Sequence, residues 1–151
     1  MGCALILKNK KLLLDVCLPS RIEAITELSL KVQEALSSRP DLAFSANLCL
    51  DELITNTINY GLKGDTDRFI RVRLSISDNW LEIIIKDDAP AFDPFCDAPA
   101  PDLDAELEDR PIGGLGVHLV KTMMDDVRAY FDGSGNLIAL LKAVNDPAPA
   151  P

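Results

Sequence analysis

A stretch near the middle of the chain has two faces at helical spacing, and it limits the possible folds more than any other stretch. Its apolar positions recur every four residues, which predicts an α-helix with one side in a core; they are Leu50, Ile54 and Ile58. On another face the same spacing relates one carboxylate and two amides, namely Glu52, Asn56 and Asn59. A helix of this kind is predicted to have one face in the apolar core and another in contact with solvent or a polar ligand.

Two interpretations of that polar stripe are open. A solvated helix face needs no further explanation, because charged and amide side chains commonly face water. In a ligand site, by contrast, Glu52 would accept a proton or face a metal, and the amide oxygen of Asn56 would bind a hard cation. The rest of the chain has to decide between the two.

Size and charge narrow the class of protein. A chain of 151 residues with 48% hydrophobic residues is predicted to form one domain, residues 1–145, followed by a Pro/Ala-rich tail, residues 146–151. Its net charge of −9 disfavours nucleic acid and anionic membranes as partners, because like charges repel. No apolar run is long enough to span a bilayer.

The cysteines indicate a reducing compartment. None of them shows a C-x-x-C spacing, which disfavours a metal cluster; they are Cys3, Cys17, Cys49 and Cys96. We interpret them as reduced, mostly buried thiols of a cytoplasmic protein.

The order of predicted elements indicates an α+β fold. Residues 12–18 predict a strand. Ser20 and Glu23 have the spacing of a capping box, which predicts a helix that runs to about residue 38. Asp41 is the predicted cap of the central helix, which reaches about residue 60. Alternating residues 69–77 and 80–86 predict a hairpin, residues 117–124 a third helix, and residues 127–131 and 137–144 a second hairpin. Grouped helices favour a two-layer sandwich with helices on one face of a mainly antiparallel mixed sheet.

Two further segments carry candidate site residues. Asp87 ends a predicted strand, where an acidic residue is either a turn former or an acceptor for a ligand amino group. A run of glycines precedes the third helix, where it is either a tight turn or a phosphate cradle at a helix N-terminus; these are Gly113, Gly114 and Gly116. Arg110, just upstream, is either a solvated loop residue or a donor to a terminal phosphate.

The segment between these two, residues 87–111, has no sustained period. It is rich in Pro, Ala, Asp and Glu. A surface loop and a lid over a site are both consistent with this composition, because long loops inside compact domains often cover a site.

Together these segments carry a resemblance to a known superfamily. Glu52-x-x-x-Asn56 on a helix, Asp87 at a strand end and the glycine turn before a helix resemble the N, G1 and G2 boxes of the GHKL ATPase and kinase superfamily. Their order and spacing most resemble the anti-sigma-factor serine kinases of bacterial partner switching. The resemblance covers residues 12–142.

The resemblance implies a Bergerat-type ATP site on an α/β sandwich. By position, Asn56 would hold Mg²⁺ and Glu52 would be the general base for an acceptor serine, with Asp87 binding the adenine amino group. The remaining positions implied to contact the cofactor are Asn59, Ala89, Arg110, Gly113, Gly114 and Gly116. The implied partners are a STAS-domain anti-anti-sigma protein, a sigma factor and a second copy of the chain.

Three functional classes therefore stay open. The first is an ATP-dependent protein serine kinase that also sequesters a sigma factor, supported by Glu52 and Asn56. The second is a non-catalytic partner-switching module with weak or no ATP binding, supported by Ala89 and Ala91, which stand where the family commonly has glycine or another small residue. The third is an α+β domain with an unrelated ligand.

Overall fold

The alternating strands of the sequence form one sheet, and the helices pack against one of its faces. The structure, a computed structural model, describes residues 9–97 and 114–145. The strands are β1 (Lys11–Pro19), β2 (Phe69–Ile76), β3 (Trp80–Asp87), β4 (Asp126–Phe131) and β5 (Asn136–Ala143). The helices are α1 (Glu23–Ala35), α2 (Pro40–Asn56), a π-helical turn (Thr57–Gly61), the short α3 (Pro94–Asp97) and α4 (Gly114–Met123).

The sheet order is β1-β2-β3-β5-β4, and every neighbouring pair is antiparallel. This arrangement confirms the predicted α+β class. The two predicted hairpins are present, with β2 paired to β3 and β4 paired to β5. The β3–β5 pairing sets Asp87, the last residue of β3, opposite Asn136, the first residue of β5.

One apolar core lies between the helices and the sheet. Alternate residues of β2 and β3 are fully buried, as are Leu50 and Ile54 of α2. Ile58, in the π-helical turn, is also buried. The predicted apolar face of the central helix is therefore confirmed. Burying a Leu or Ile side chain contributes about 1.5–3 kcal/mol, so this face is what holds the polar face of α2 in place.

The predicted capping box at α1 is wrong. Ile22 is the N-cap residue, and no side chain caps the helix. Ser20 is fully buried, and its hydroxyl donates to the carbonyl of Asp65 at 2.6 Å and accepts from the amide of Arg68 at 3.1 Å. The hydroxyl is therefore used to join the start of α1 to the loop before β2.

The predicted cap of α2 is also wrong. Pro40 is the first helical residue and Arg39 is the N-cap, as suits a proline, which has no N–H to satisfy. Asp41 lies in the first turn and makes two hydrogen bonds with the Arg39 guanidinium, at 2.8 and 3.0 Å. A carboxylate in the first turn also suits the positive end of the helix dipole.

The prediction that the cysteines are mostly buried is wrong for the described ones. Cys49 is fully buried in α2, and burial raises the pKa of its thiol to about 11. Cys17, on the edge strand β1, and Cys96, in α3, are exposed. Edge strands and short surface helices leave one side in water, which the spacing of cysteines does not reveal.

Among the helices of the described ranges, none combines the length and the apolar character needed to cross a bilayer.

Candidate functional site

Glu52 projects from α2 and makes no hydrogen bond or ion pair with any other described residue. Its side chain is half-buried. Burial raises the pKa of the Glu52 carboxyl, and the neighbouring charge of Asp51 raises it further. A carboxylate that is unpaired and holds its proton more firmly than usual has the properties of a general base.

Gly116, in the first turn of α4, lies directly against Glu52. A Cβ atom at Gly116 would be 2.5 Å from Cδ of Glu52 and 3.0 Å from its Cγ, well inside van der Waals contact. The absence of a side chain at Gly116 therefore makes room for the Glu52 carboxylate. The phosphate contact of Gly116 stays a prediction, and the contact with Glu52 was not predicted from the sequence.

Asn56 lies one turn further along α2 and is only 3% exposed. Its amide nitrogen is buried and has no hydrogen-bond partner in the described part of the chain. An unsatisfied buried polar group costs about 1–3 kcal/mol, so natural proteins keep few of them. A ligand that bonds to the Asn56 amide would remove that cost.

The π-helical turn changes the register of the predicted polar stripe. Its i to i+5 hydrogen bond runs from the amide of Leu62 to the carbonyl of Thr57 at 2.7 Å. Asn59 falls inside this turn and is exposed, whereas Asn56 is buried. The prediction that Asn59 follows Asn56 at a regular α-helical period is therefore wrong, because the period widens after Asn56.

Asp87 ends β3 at the edge of the site and starts a tight turn. Its Oδ1 atom accepts from the amide of Ala89 at 2.9 Å and from Nδ2 of Asn136 at 3.0 Å. Its Oδ2 atom accepts no hydrogen bond from a described residue. One carboxylate oxygen thus remains available to a donor group of a ligand.

The end of the central helix packs on the turn after β3. A Cβ atom at Gly61 would lie 3.7 Å from a ring carbon of Phe92 and 3.8 Å from Cβ of Ala89, which is ordinary contact. The rings of Tyr60 and Phe92 are tilted, with centroids 6.5 Å apart. Ala89 is 2% exposed, so its methyl group belongs to the core. This packing brings the helix that carries Asn56 to the Asp87 turn.

Asn136 is a residue of the site that sequence reasoning missed. It is 5% exposed, and it bonds to Asp87 and to the turn that follows. The sequence around it, Asp-Gly-Ser-Gly-Asn, is explained by a hairpin turn alone, so nothing local singled it out. The only available signal was an asparagine at the start of an otherwise apolar strand.

Several predicted site residues lie where no geometry can be given. Arg110 and Gly113 are outside the described residues, as is most of the predicted lid. Gly114 is the first residue of α4. Of the 87–111 segment, the described part forms the Asp87 turn and the short helix α3.

The donor set suits a nucleotide with a hard cation. The Nδ2 atom of Asn56, which has no partner among the described residues, is a donor that suits a phosphate oxygen. The oxygen of the same amide and nearby carboxylate oxygens are of the type that Mg²⁺ accepts. The available oxygen of Asp87 suits an amino group. Glu52, which lies against Gly116 of α4 and has a raised pKa, suits a proton acceptor.

Comparison with known proteins agrees with this arrangement. Residues 18–142 match the family model of the histidine kinase-like ATPase domain. The serine-protein kinase RsbW of Listeria monocytogenes is 29% identical over 142 residues, which cover 85% of each chain. The serine-protein kinase RsbW of Bacillus licheniformis is 31% identical over 107 residues, or 65% of this chain and 62% of that kinase.

Solved structures share the fold. The structure of the RsbU and RsbW domains of Rv1364c from Mycobacterium tuberculosis matches with a TM-score of 0.57 at 13% identity, covering 85% of this chain and 31% of that one. The histidine kinase AdeS of Acinetobacter baumannii matches with a TM-score of 0.50 at 17% identity, covering 89% and 69%. The family match spans the strands and helices that carry Glu52, Asn56 and Asp87, and the chain belongs to the histidine kinase-like ATPase domain family.

Proposed function

We propose that this protein is an ATP- and Mg²⁺-dependent serine kinase that phosphorylates a STAS-domain anti-anti-sigma protein and sequesters a sigma factor. The observation that carries the proposal concerns two side chains one helical turn apart, the buried amide nitrogen of Asn56 and the carboxylate of Glu52. Neither has a hydrogen-bond or ion-pair partner among the described residues. The similarity to proteins named serine-protein kinase RsbW supports the choice of a serine acceptor. From the resemblance to the anti-sigma-factor serine kinases, the proposal also includes a homodimer in the cytoplasm.

Each residue of the site has a task in this proposal. Asp87 accepts a hydrogen bond from the adenine amino group through its available Oδ2 atom. The amide oxygen of Asn56 would be a ligand of Mg²⁺. The glycines before and within α4 would complete the nucleotide contacts, together with Asn59, Ala89 and Arg110. When bound, the nucleotide supplies the γ-phosphoryl group, and the metal offsets the negative charge of the phosphates.

Glu52 handles the proton. The acceptor serine oxygen forms a bond to the γ-phosphorus as the bond to the bridging oxygen breaks, so ADP leaves with that oxygen. Glu52 takes the proton that the serine hydroxyl gives up. Its half-buried position and raised pKa suit this task, because the carboxylate binds a proton more strongly than a solvated one does.

The test is phosphoryl transfer from labelled ATP to a purified STAS-domain protein of the same organism. Glu52→Gln keeps the shape of the side chain and removes the base, so transfer is expected to fall by about 10²–10⁴-fold while ATP binding persists. Glu27→Gln is the control, because Glu27 lies on the exposed side of α1 in an ion pair with Lys31. Unchanged transfer by Glu52→Gln would remove Glu52 from the mechanism.

The transfer assay, combined with binding measurements, distinguishes the kinase from the non-catalytic partner-switching module. A wild type that binds the STAS-domain protein but neither binds ATP nor transfers phosphate would be a partner-switching module. Ala89 would then be the first position to change to glycine, because the resemblance implies a glycine two residues after Asp87.

A further inference from the structure

We propose that Asn136 is a positioning residue that fixes the turn after β3 and orients the Asp87 carboxylate, so that Asp87 selects a purine with a 6-amino group. The inference rests on the proposed ATP site, because it takes Asp87 as the residue that meets the base. Asn136 itself acts through Asp87 and needs no contact with the nucleotide.

Both ends of the Asn136 amide are engaged with one short segment. Its Nδ2 atom donates to Asp87 Oδ1 at 3.0 Å, to the carbonyl of Pro90 at 3.0 Å and, more weakly, to the carbonyl of Ala89 at 3.3 Å. Its Oδ1 atom accepts from the amide of Phe92 at 2.9 Å. Two N–H bonds shared by three acceptors, in a side chain 5% exposed, leave the amide one orientation.

We call these hydrogen bonds from Asn136 to residues 87–92 the Asn136 clamp. The clamp determines which oxygen of Asp87 faces a ligand. Asn136 and the amide of Ala89 both bond to the same oxygen, Oδ1, so the carboxylate is held in its plane with Oδ2 turned away from them. Oδ2 then meets a 6-amino group as acceptor to donor. A 6-oxo group in the same place would set acceptor against acceptor, which leaves both groups unsatisfied.

The turn itself depends on the clamp. Residues 88–92 follow the end of β3 and lie outside its regular ladder, so the carbonyls of Ala89 and Pro90 need partners from elsewhere. Asn136 supplies them. The turn contains Ala89 and Ala91, at positions where the resemblance implies glycine or another small residue, and the bonds from Asn136 give its backbone a fixed course.

Gly135 allows Asn136 to approach. A Cβ atom at Gly135 would lie 3.0 Å from the backbone carbonyl carbon of Asp87 and from Cα of Asp88. It would lie closer still to the backbone carbonyl oxygen of Asp87. These neighbours are backbone atoms and cannot swing aside. The pair Gly135–Asn136 therefore brings the start of β5 into contact with the end of β3.

The first test needs no nucleotide. In the wild type, the amide of Phe92, which lies outside any strand or helix, is expected to be protected from hydrogen exchange by Asn136. In Asn136→Ala its exchange should be at least about tenfold faster, the change expected for the loss of one hydrogen bond of ordinary strength. An unprotected Phe92 amide in the wild type would overturn the clamp without any variant.

The second test compares bases. Dissociation constants for ATP and inosine triphosphate, each with Mg²⁺, are measured for the wild type, Asn136→Ala and the isosteric Asn136→Asp. The wild type should prefer ATP, and both variants should lose about tenfold or more of that preference, because Asp87 is no longer held. Asn145→Ala is the control, since Nδ2 of Asn145 donates to the carbonyl of Asp78 at the opposite end of β3, at 2.8 Å.

The outcomes separate this inference from the proposed function. If the variants keep the wild-type preference for ATP, Asn136 does not orient Asp87 and the inference fails while the ATP site stands. If the wild type binds neither nucleotide, the proposed function fails and base selection fails with it. The exchange of the Phe92 amide then still decides whether Asn136 clamps the turn.

Discussion

At the residue scale, the closest fit in the site is between Glu52 and Gly116. The carboxylate of one occupies the space where the other would carry a side chain. The contact joins α2 to α4, so the position of the proposed base depends on a residue 64 positions later in the sequence. A substitution at Gly116 should therefore act on chemistry more than on folding.

Gly116→Ala is expected to reduce phosphoryl transfer by at least about tenfold, because the added methyl group displaces the end of the Glu52 side chain. The atoms that must move belong to a flexible side chain, so the fold should survive. Alanine is favoured over glycine inside a helix by about 1 kcal/mol, so the thermal midpoint should be unchanged or higher.

The measurement combines a thermal melt with the transfer assay. Thr122→Ala, at an exposed position of the same helix, is the control and should leave transfer unchanged. Full activity in Gly116→Ala would contradict the contact with Glu52, and a large fall in the melting temperature would show that Gly116 serves packing instead.

The charge of Asp51 gives a second prediction at this scale. Burial and Asp51 raise the pKa of the Glu52 carboxyl, and a base must be deprotonated to act. Transfer is therefore expected to fall as the pH is lowered. The midpoint of this fall should lie above the usual pKa of a glutamate, about 4.3. Asp51→Asn should move this acidic limb to lower pH, since it removes one of the two causes.

The pH profile of the transfer rate tests this directly. Asp41→Asn is a matched control at the far end of α2, where Asp41 pairs with Arg39. A limb that does not move in Asp51→Asn, or that moves equally in Asp41→Asn, would contradict the assignment of the titrating group to Glu52.

At the scale of elements, the end of the central helix is shaped by its π-helical turn and two glycines. Gly61 has space for an added methyl group at contact distances of 3.7–3.9 Å. Gly64 has open space, but its φ angle is +78°, a conformation that side-chain-bearing residues avoid. Its amide donates to the carbonyl of Ile58 at 2.8 Å, which ends the helix.

We expect Gly64→Ala to destabilise the protein by about 1–2 kcal/mol, the cost of a left-handed residue with a Cβ atom. For a domain of this size that lowers the melting temperature by roughly 2–4 °C per kcal/mol. Gly61→Ala should change it by less than about 1 kcal/mol, because its contacts are ordinary. Equal effects of the two substitutions in thermal melts would contradict the backbone argument.

At the scale of the whole molecule, the sequence predicts the features that depend on the local spacing of apolar residues, namely the positions of the strands and the faces of the helices. The four strands after α2 end within one residue of their predicted positions, because alternation of apolar and polar residues is a local property. The position of Asn56 one helical turn from Glu52 was also predictable, but its burial was not. The fold class followed from the order of the elements.

Long-range contacts were not predictable. Ser20 resembles a helix cap, but its hydroxyl bonds to a loop 45 residues later. The π-helical turn leaves no mark in the apolar period, since Ile58 is buried in either geometry. Asn136 meets Asp87 only because β5 pairs with β3, and a hairpin sequence gives no sign of a partner outside the hairpin.

The most direct test of the ATP site is calorimetry of ATP·Mg²⁺ with the wild type and Asn56→Leu. The amide nitrogen of Asn56, unpartnered within residues 9–97 and 114–145, costs stability in the free protein, so the similarly sized leucine is expected to leave the melting temperature unchanged or raise it. The same change should weaken ATP·Mg²⁺ binding by about 10–100-fold, because it removes an oxygen ligand. Asn47→Ala, on the α1 side of the same helix, should bind as the wild type does.

Binding in the wild type, lost in a fully folded Asn56→Leu, is the result that this account predicts. A wild type that binds no nucleotide at millimolar concentration, or an Asn56→Leu variant that binds as tightly as the wild type, would contradict it.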